Sequence, residues 1–183
     1  MPTCEEITAA LAAQRERIET WFGALSDEQM RRPMTNSEIE SGAMWSAKDH
    51  LAHVLGTERF FQGAIKRALA GAEDPLGFYT HLGSDDRTAL RAMLNQANEQ
   101  AVQKYRLESS EAILGRLDET RQATLAQLDT FDDARLAQPI PHSPFGDGTY
   151  GALFMTIALH GKMHIKWLDE ASAEAAGTGA HDE

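Results

Sequence analysis

His160 and His164 stand four residues apart in the run Leu159-His160-Gly161-Lys162-Met163-His164, and residues at that spacing project from one face of a helix. Both imidazoles can therefore turn toward a single ion. They share the face with Leu153, Ile157 and Trp167, so they point inward, where each neutral ring must find a partner for one donor and one acceptor. A divalent metal would satisfy both acceptors. Hydrogen bonds to backbone or carboxylates are the plainer alternative, and the spacing leaves the two open. A third ligand would favour the metal. The helical candidates are His50 and His53, because His81 and His142 fall in expected loops and His181 in the tail. At about 100° per residue, Leu51, Leu55, Glu58, Ile65 and Leu69 define one apolar stripe. His50 lies nearer its edge, whereas His53 shares a flank with the small residues Gly56, Thr57 and Ala64. Spacing slightly favours His50 without choosing.

Other chemistries lack their residues. The single Cys4 forms neither an internal disulfide nor a cysteine-rich zinc site, so a metal here needs nitrogen and oxygen ligands. Its place in a first helical turn beside Glu5 and Glu6 opposes activation of the thiol. A zincin helix carries Glu after its first His, where this chain has Gly161. No Glu stands three residues before any His, which removes the di-iron carboxylate pattern. Glu58 falls on the apolar stripe; a general base is one reading, and the favoured ones are that it orients a ligand histidine from behind or packs its stem with its head in water. Trp45, Phe60, Phe61, Phe78 and Tyr79 are candidates for an apolar substrate pocket, the loop aromatics above all, while the scattered methionines read as gap fillers.

The elements that must position these residues are helical. Thr3-Cys4-Glu5-Glu6 is a capping box, followed by Ile7, Leu11, Ile18, Trp21, Phe22 and Leu25 at helical spacing. Ser26 to Gln29 repeats the capping pattern for a short turn that Pro33 closes, and Thr35 to Gly42 reads as a loop. A long helix starts after Trp45 with Ser46 as N-cap and Asp49 as its capping-box acid, and Gly71 stops it. Ala72 to Ser84 reads as a long loop that packs aromatics over one end of the domain. Helical patterns cover Asp85 to Arg106 and Ser109 to Leu128, with a break near Glu108. Pro139, Pro141, Pro144, Gly146 and Gly148 rule out helix, and Thr149 caps a final helix from Tyr150 to about Ala171. No stretch alternates well enough to predict a strand. The expected fold is all-α, a bundle of four principal helices over residues 1–172 with a long loop and a Pro/Gly-rich crossover, and a disordered tail over 173–183.

The segment Trp45-Ser46-Ala47-Lys48-Asp49-His50-Leu51-Ala52-His53-Val54, followed by Glu58, resembles the second-helix signature of the DinB-like four-helix bundles, where Trp starts the helix and a ligand His follows eight residues on. The final His160 and His164 match that superfamily's His-x-x-x-His, and Asn98-Glu99-Gln100-Ala101-Val102 is similar to its ClbS/DfsB branch. The resemblance implies a zinc or nickel ion held by His53, His160 and His164, with open positions for water and substrate, and leaves His50 as a neighbour. Related members transfer a low-molecular-weight thiol such as bacillithiol, mycothiol or glutathione, or hydrolyse their substrates, and some have no known activity.

With 28 acids against 17 basic residues, the net charge of -11 repels phosphate backbones and anionic lipid heads, so nucleic acid and membrane partners are not expected. The start of the chain carries acids where a signal peptide is basic, and a cytoplasmic protein is expected. Two readings follow. One is a small metal-dependent enzyme that transfers a thiol to, or hydrolyses, a small electrophile; the other is a noncatalytic homodimeric bundle that binds a small molecule or a partner.

Overall fold

The computed structural model describes residues 1–37, 39, 43–82 and 86–178. The capping chemistry read from the sequence sets the helix starts. Thr3 and Glu6 exchange bonds at the head of α1 (Cys4–Gly23), Ser26 and Gln29 at α2 (Asp27–Arg31), and Ser46 and Asp49 at α3 (Ala47–Leu69). Gly71, at φ +83°, takes the left-handed conformation that ends α3. Ser109 caps α6 (Ser110–Leu128), and the Thr149 hydroxyl accepts from the Ala152 amide at the head of α8 (Tyr150–Thr178).

The all-α class holds, with four differences in detail. First, α5 (Arg87–Tyr105) is a separate long helix, so among the described residues five helices rather than four have 19 residues or more. Contacts run in a ring from α1 to α8, α3, α6 and back to α1, and α5 packs on α3. Second, β1 (Pro33–Asn36) and β2 (Met44–Ser46) pair antiparallel, with Thr35 opposite Trp45 and a register irregularity after Pro33. Segments of four and three residues are too short to show alternation, and the buried indole of Trp45 anchors the pair instead. Third, the expected loop after α3 contains α4 (Phe78–Leu82), and a further short helix, α7 (Asp133–Leu136), follows α6. Fourth, α8 runs to Thr178, past its expected end and into the stretch read as a tail. The parts of these expectations that fall on residues 38, 40–42, 83–85 and 179–183, including a helix start at Asp85 and His181, lie outside the described residues.

A polar layer divides the core in two. On one side lie Ile7, Leu11, Phe61, Ile65, Leu128 and Phe154; on the other lie Ile18, Phe22, Leu51, Leu55, Ile113 and Leu168. Between them Arg121 of α6 forms a two-pronged ion pair with Glu58 of α3, at 2.9 Å for each N–O contact. Arg121 also donates to the Leu11 carbonyl and to Gln14 of α1. Thr124 donates to Glu58 at 2.6 Å, and Gln14 donates to the Ile157 carbonyl of α8 at 2.8 Å. One layer therefore touches all four helices of the ring, and every charge in it is paired.

Gly56 of α3 explains how α5 comes so close. A Cβ built there would stand 2.6 Å from the Ala101 Cβ, so only glycine permits the contact. Gly56→Ala would gain about 1 kcal/mol of helix propensity but overpack a contact whose relief costs about 1–3 kcal/mol. We expect a net destabilisation, read as a lower urea midpoint at unchanged slope. An unchanged or raised midpoint would show that α5 can move away without cost.

Candidate metal centre

The start of α3 and the middle of α8 face each other across the bundle, which brings His53 opposite the pair on α8. The His160 Nε2 lies 2.8 Å from the His53 Nε2 and 3.1 Å from the His164 Nε2, and one ligand-capable atom of each ring lies within 4.8 Å of the others. His164 and His53 are 0% and 1% exposed, whereas His160 is half-buried. The cluster is thus buried behind and reachable at one corner.

His50, on the same helix as His53, sits behind the cluster. Its Nδ1 lies 2.8 Å from the Nδ1 of His164, on the side of that ring away from the converging nitrogens, and its Nε2 lies 2.7 Å from the Thr35 hydroxyl of β1. The short hairpin thus supplies the group that fixes His50, and His50 in turn fixes His164. Trp45 packs edge-on against His50, with ring centroids 5.3 Å apart, and lies 5.4 Å from His53. Its indole N–H donates to Glu99 of α5 at 3.0 Å.

Burial governs the electrostatics. Desolvation pushes His50 and His160 down to about 4, against the pull of Asp49 on His50 and reinforced on His160 by His50. It also holds His53 and His164 well below the ordinary range, with the neighbouring imidazoles adding to the effect. All four rings are therefore neutral near pH 7, the form that offers lone pairs to a metal.

Glu58 is not where a histidine-orienting carboxylate would be. Its two oxygens are engaged by Arg121 and Thr124 in the polar layer, about 7.5 Å along α3 from His53 at 1.5 Å per residue. His50 and Thr35 occupy the outer positions instead. The position of Glu58 on an apolar stripe signalled only that it needed a partner. His81 and His142 are not members of the cluster: His81 lies in the short α4, and His142, at φ +55°, stacks on Tyr79 with ring centroids 4.2 Å apart.

A cavity of about 430 Å³ opens beside His53 and His160. Of the candidate pocket aromatics, Phe60, Phe61 and Phe78 line it, whereas Trp45 and Tyr79 do not; Phe145, from the Pro/Gly-rich crossover, joins the lining unforeseen. Met93 and Met163, read as gap fillers, also line it.

These observations define a helical-bundle protein with a three-histidine cluster at the wall of a cavity. The chain belongs to the DinB superfamily, whose family model matches residues 10–168. Among solved structures it is similar to the colibactin self-resistance protein ClbS in complex with a double-stranded DNA, with TM-score 0.68 and 14% identity over 93% of this chain and 94% of that one. It is also similar to an uncharacterised protein from Escherichia coli UTI89, with TM-score 0.65 and 13% identity over 93% and 95%. A protein from Streptococcus pneumoniae gives TM-score 0.67 and 10% identity over 94% and 92%. No curated protein matches the chain.

The DNA complex corrects one expectation. Net charge was read as setting nucleic acid aside, yet a protein of this fold is solved with duplex DNA bound. A chain-wide sum of charges does not describe the local field over any one face, so an acidic total is no ground for that exclusion. Among the described residues, no helix is long and apolar enough to cross a membrane.

Proposed function

We propose that this DinB protein is a small metal-dependent enzyme that hydrolyses, or transfers a thiol to, a small electrophile. The observation that carries the reading is the convergence of three Nε2 atoms, from the buried His53 and His164 and the half-buried His160, at the wall of a cavity.

The donor set fits zinc or nickel. At metal–nitrogen bonds of about 2.0–2.1 Å, nitrogens that share one ion stand roughly 3 Å apart, the size of the 2.8 and 3.1 Å separations here. Hydrogen bonds alone serve the cluster poorly. A proton on the His160 Nε2 points toward one neighbour and leaves a second lone pair facing it, and the buried Nδ1 of His53 has no partner in either case. When bound, such an ion would lower the pKa of a coordinated water or thiol toward neutrality and polarise the electrophile.

The protein's own groups set the tautomers. With the His164 Nε2 as ligand, its proton sits on Nδ1 and is donated to the His50 Nδ1; His50 then carries its proton on Nε2 and donates to Thr35. The chain Thr35–His50–His164 thus orients one ligand ring. The half-buried His160 and the lining residue His53 leave the cavity side for substrate.

The test is elemental mass spectrometry of untagged protein purified without chelator, followed by assays of hydrolysis and thiol transfer. About one zinc or nickel ion per chain is expected. Protein that is free of metal and fails to take up either ion on reconstitution would overturn the reading and leave a noncatalytic bundle, for which binding of duplex DNA, as in the ClbS complex, would then be assayed.

A further inference from the structure

The cavity beside the histidines has a composition that selects its occupant. Four phenylalanines from three parts of the chain form its wall: Phe60 and Phe61 from α3, Phe78 from α4, and Phe145 from the crossover. Their packing is set among themselves, with Phe60 stacked on Phe78 at 5.8 Å and Phe61 edge-on to Phe145 at 4.9 Å between centroids. Among the described residues, no Asp, Glu, Lys or Arg lines the cavity. Its polar groups are Thr57, Asn98, Thr156 and the two histidines, and the Thr156 hydroxyl already donates to the Ala152 carbonyl at 2.8 Å.

The other large cavity, of about 530 Å³, is its opposite. Arg91, Glu170 and Glu174 line it, together with His50, Trp45 and Trp167, which pack against the cluster. Charged side chains thus line the neighbouring cavity and are not among the residues that line this one.

From this partition we infer that the cavity takes a neutral, ring-bearing apolar molecule and turns its polar, reactive end toward His53 and His160. A volume of about 430 Å³ lies in the range that encloses small ligands. Without an ion on the histidines, an anionic or zwitterionic body would enter without a counter-charge or enough donors to replace its water, at a cost of several kcal/mol. The charged part of a peptide-like thiol therefore stays outside, and the electrophile is what the cavity holds. What happens to that molecule rests on the metal-dependent reading above; its binding does not.

A matched pair of fluorescent probes tests this on the full-length protein: N-phenylnaphthylamine, which is neutral, and anilinonaphthalene sulfonate, the same skeleton with an anionic group. On chelator-treated, metal-free protein, blue-shifted, saturable fluorescence is expected for the neutral probe, with affinity about tenfold or more above that of the sulfonate. Ala97→Trp places an indole at an exposed position on the cavity wall, where no core contact is lost, and should weaken the neutral probe about tenfold at unchanged circular dichroism. Met163→Lys, at a lining residue 41% exposed, adds the missing cation and should tighten the sulfonate selectively. Equal affinity for the two probes in the metal-free, otherwise native protein, or neutral-probe binding indifferent to Ala97→Trp, would overturn the inference. Probe selectivity in a protein that takes up no metal would sink only the metal reading; bound metal without probe selectivity would sink only this one.

Discussion

His160→Ala abolishes stoichiometric binding of zinc or nickel while leaving the helical content intact; this is the largest effect we expect. The side chain supplies the nitrogen nearest to both others, at 2.8 Å from His53 and 3.1 Å from His164, so its removal leaves two ligands that no longer enclose an ion. It is half-buried, so its loss disturbs the core less than that of His164, which is fully buried. His50→Ala should behave differently. It keeps the three converging nitrogens but frees the His164 Nδ1, and loss of such an outer partner typically weakens metal affinity about 10- to 100-fold. Competition against a chromophoric chelator measures both. Native affinity in His160→Ala would remove that histidine from the ligand set, and native affinity in His50→Ala would deny it an orienting role.

The second large effect is on stability. Arg121 and Glu58 are 2% exposed, and Arg121→Ala leaves the Glu58 carboxylate buried with Thr124 as its remaining donor and no counter-charge. Breaking one side of a buried pair costs about 3–5 kcal/mol. In a chain of this length that is a fall in Tm on the order of 10 °C. Replacing both partners, Arg121→Met with Glu58→Leu, should recover most of the loss, because no charge is then stranded. Thermal unfolding followed by circular dichroism reads both. A single variant as stable as the native protein, or a double variant no better than the single, would contradict the account.

Much of this architecture was legible in the sequence because its signals are local. The capping boxes at Thr3, Ser26 and Ser46, the cap at Thr149 and the stop at Gly71 each depend on a few adjacent residues, and each is found in place. The His160 and His164 pair was legible for the same reason, since helical geometry alone puts both rings on one face. Choosing His53 over His50 needed the resemblance to a family, because the angular difference between them on α3 is small and the deciding quantity is where α8 crosses. Partnerships distant in sequence left no trace. Nothing in the sequence near Arg121 marks it as the partner of Glu58, Thr35 lies in a hairpin too short to show a period, and Phe145 follows a proline-rich run that predicts only the absence of helix. The composition of the cavity wall is likewise a property of the assembled helices.

The polar layer has a consequence for the centre that it does not touch. An ion pair sealed in apolar surroundings tolerates one axial alignment of its two helices, because a slip of one turn, about 5.4 Å, would leave both charges unpaired. α3 carries Glu58 and His53 on a single rigid rod, and Gln14 links Arg121 to the Ile157 carbonyl on α8. The layer therefore acts as a detent: it sets how far α3 is pushed along the bundle, and so keeps the His53 ring level with His160 whether or not an ion is there to hold them together.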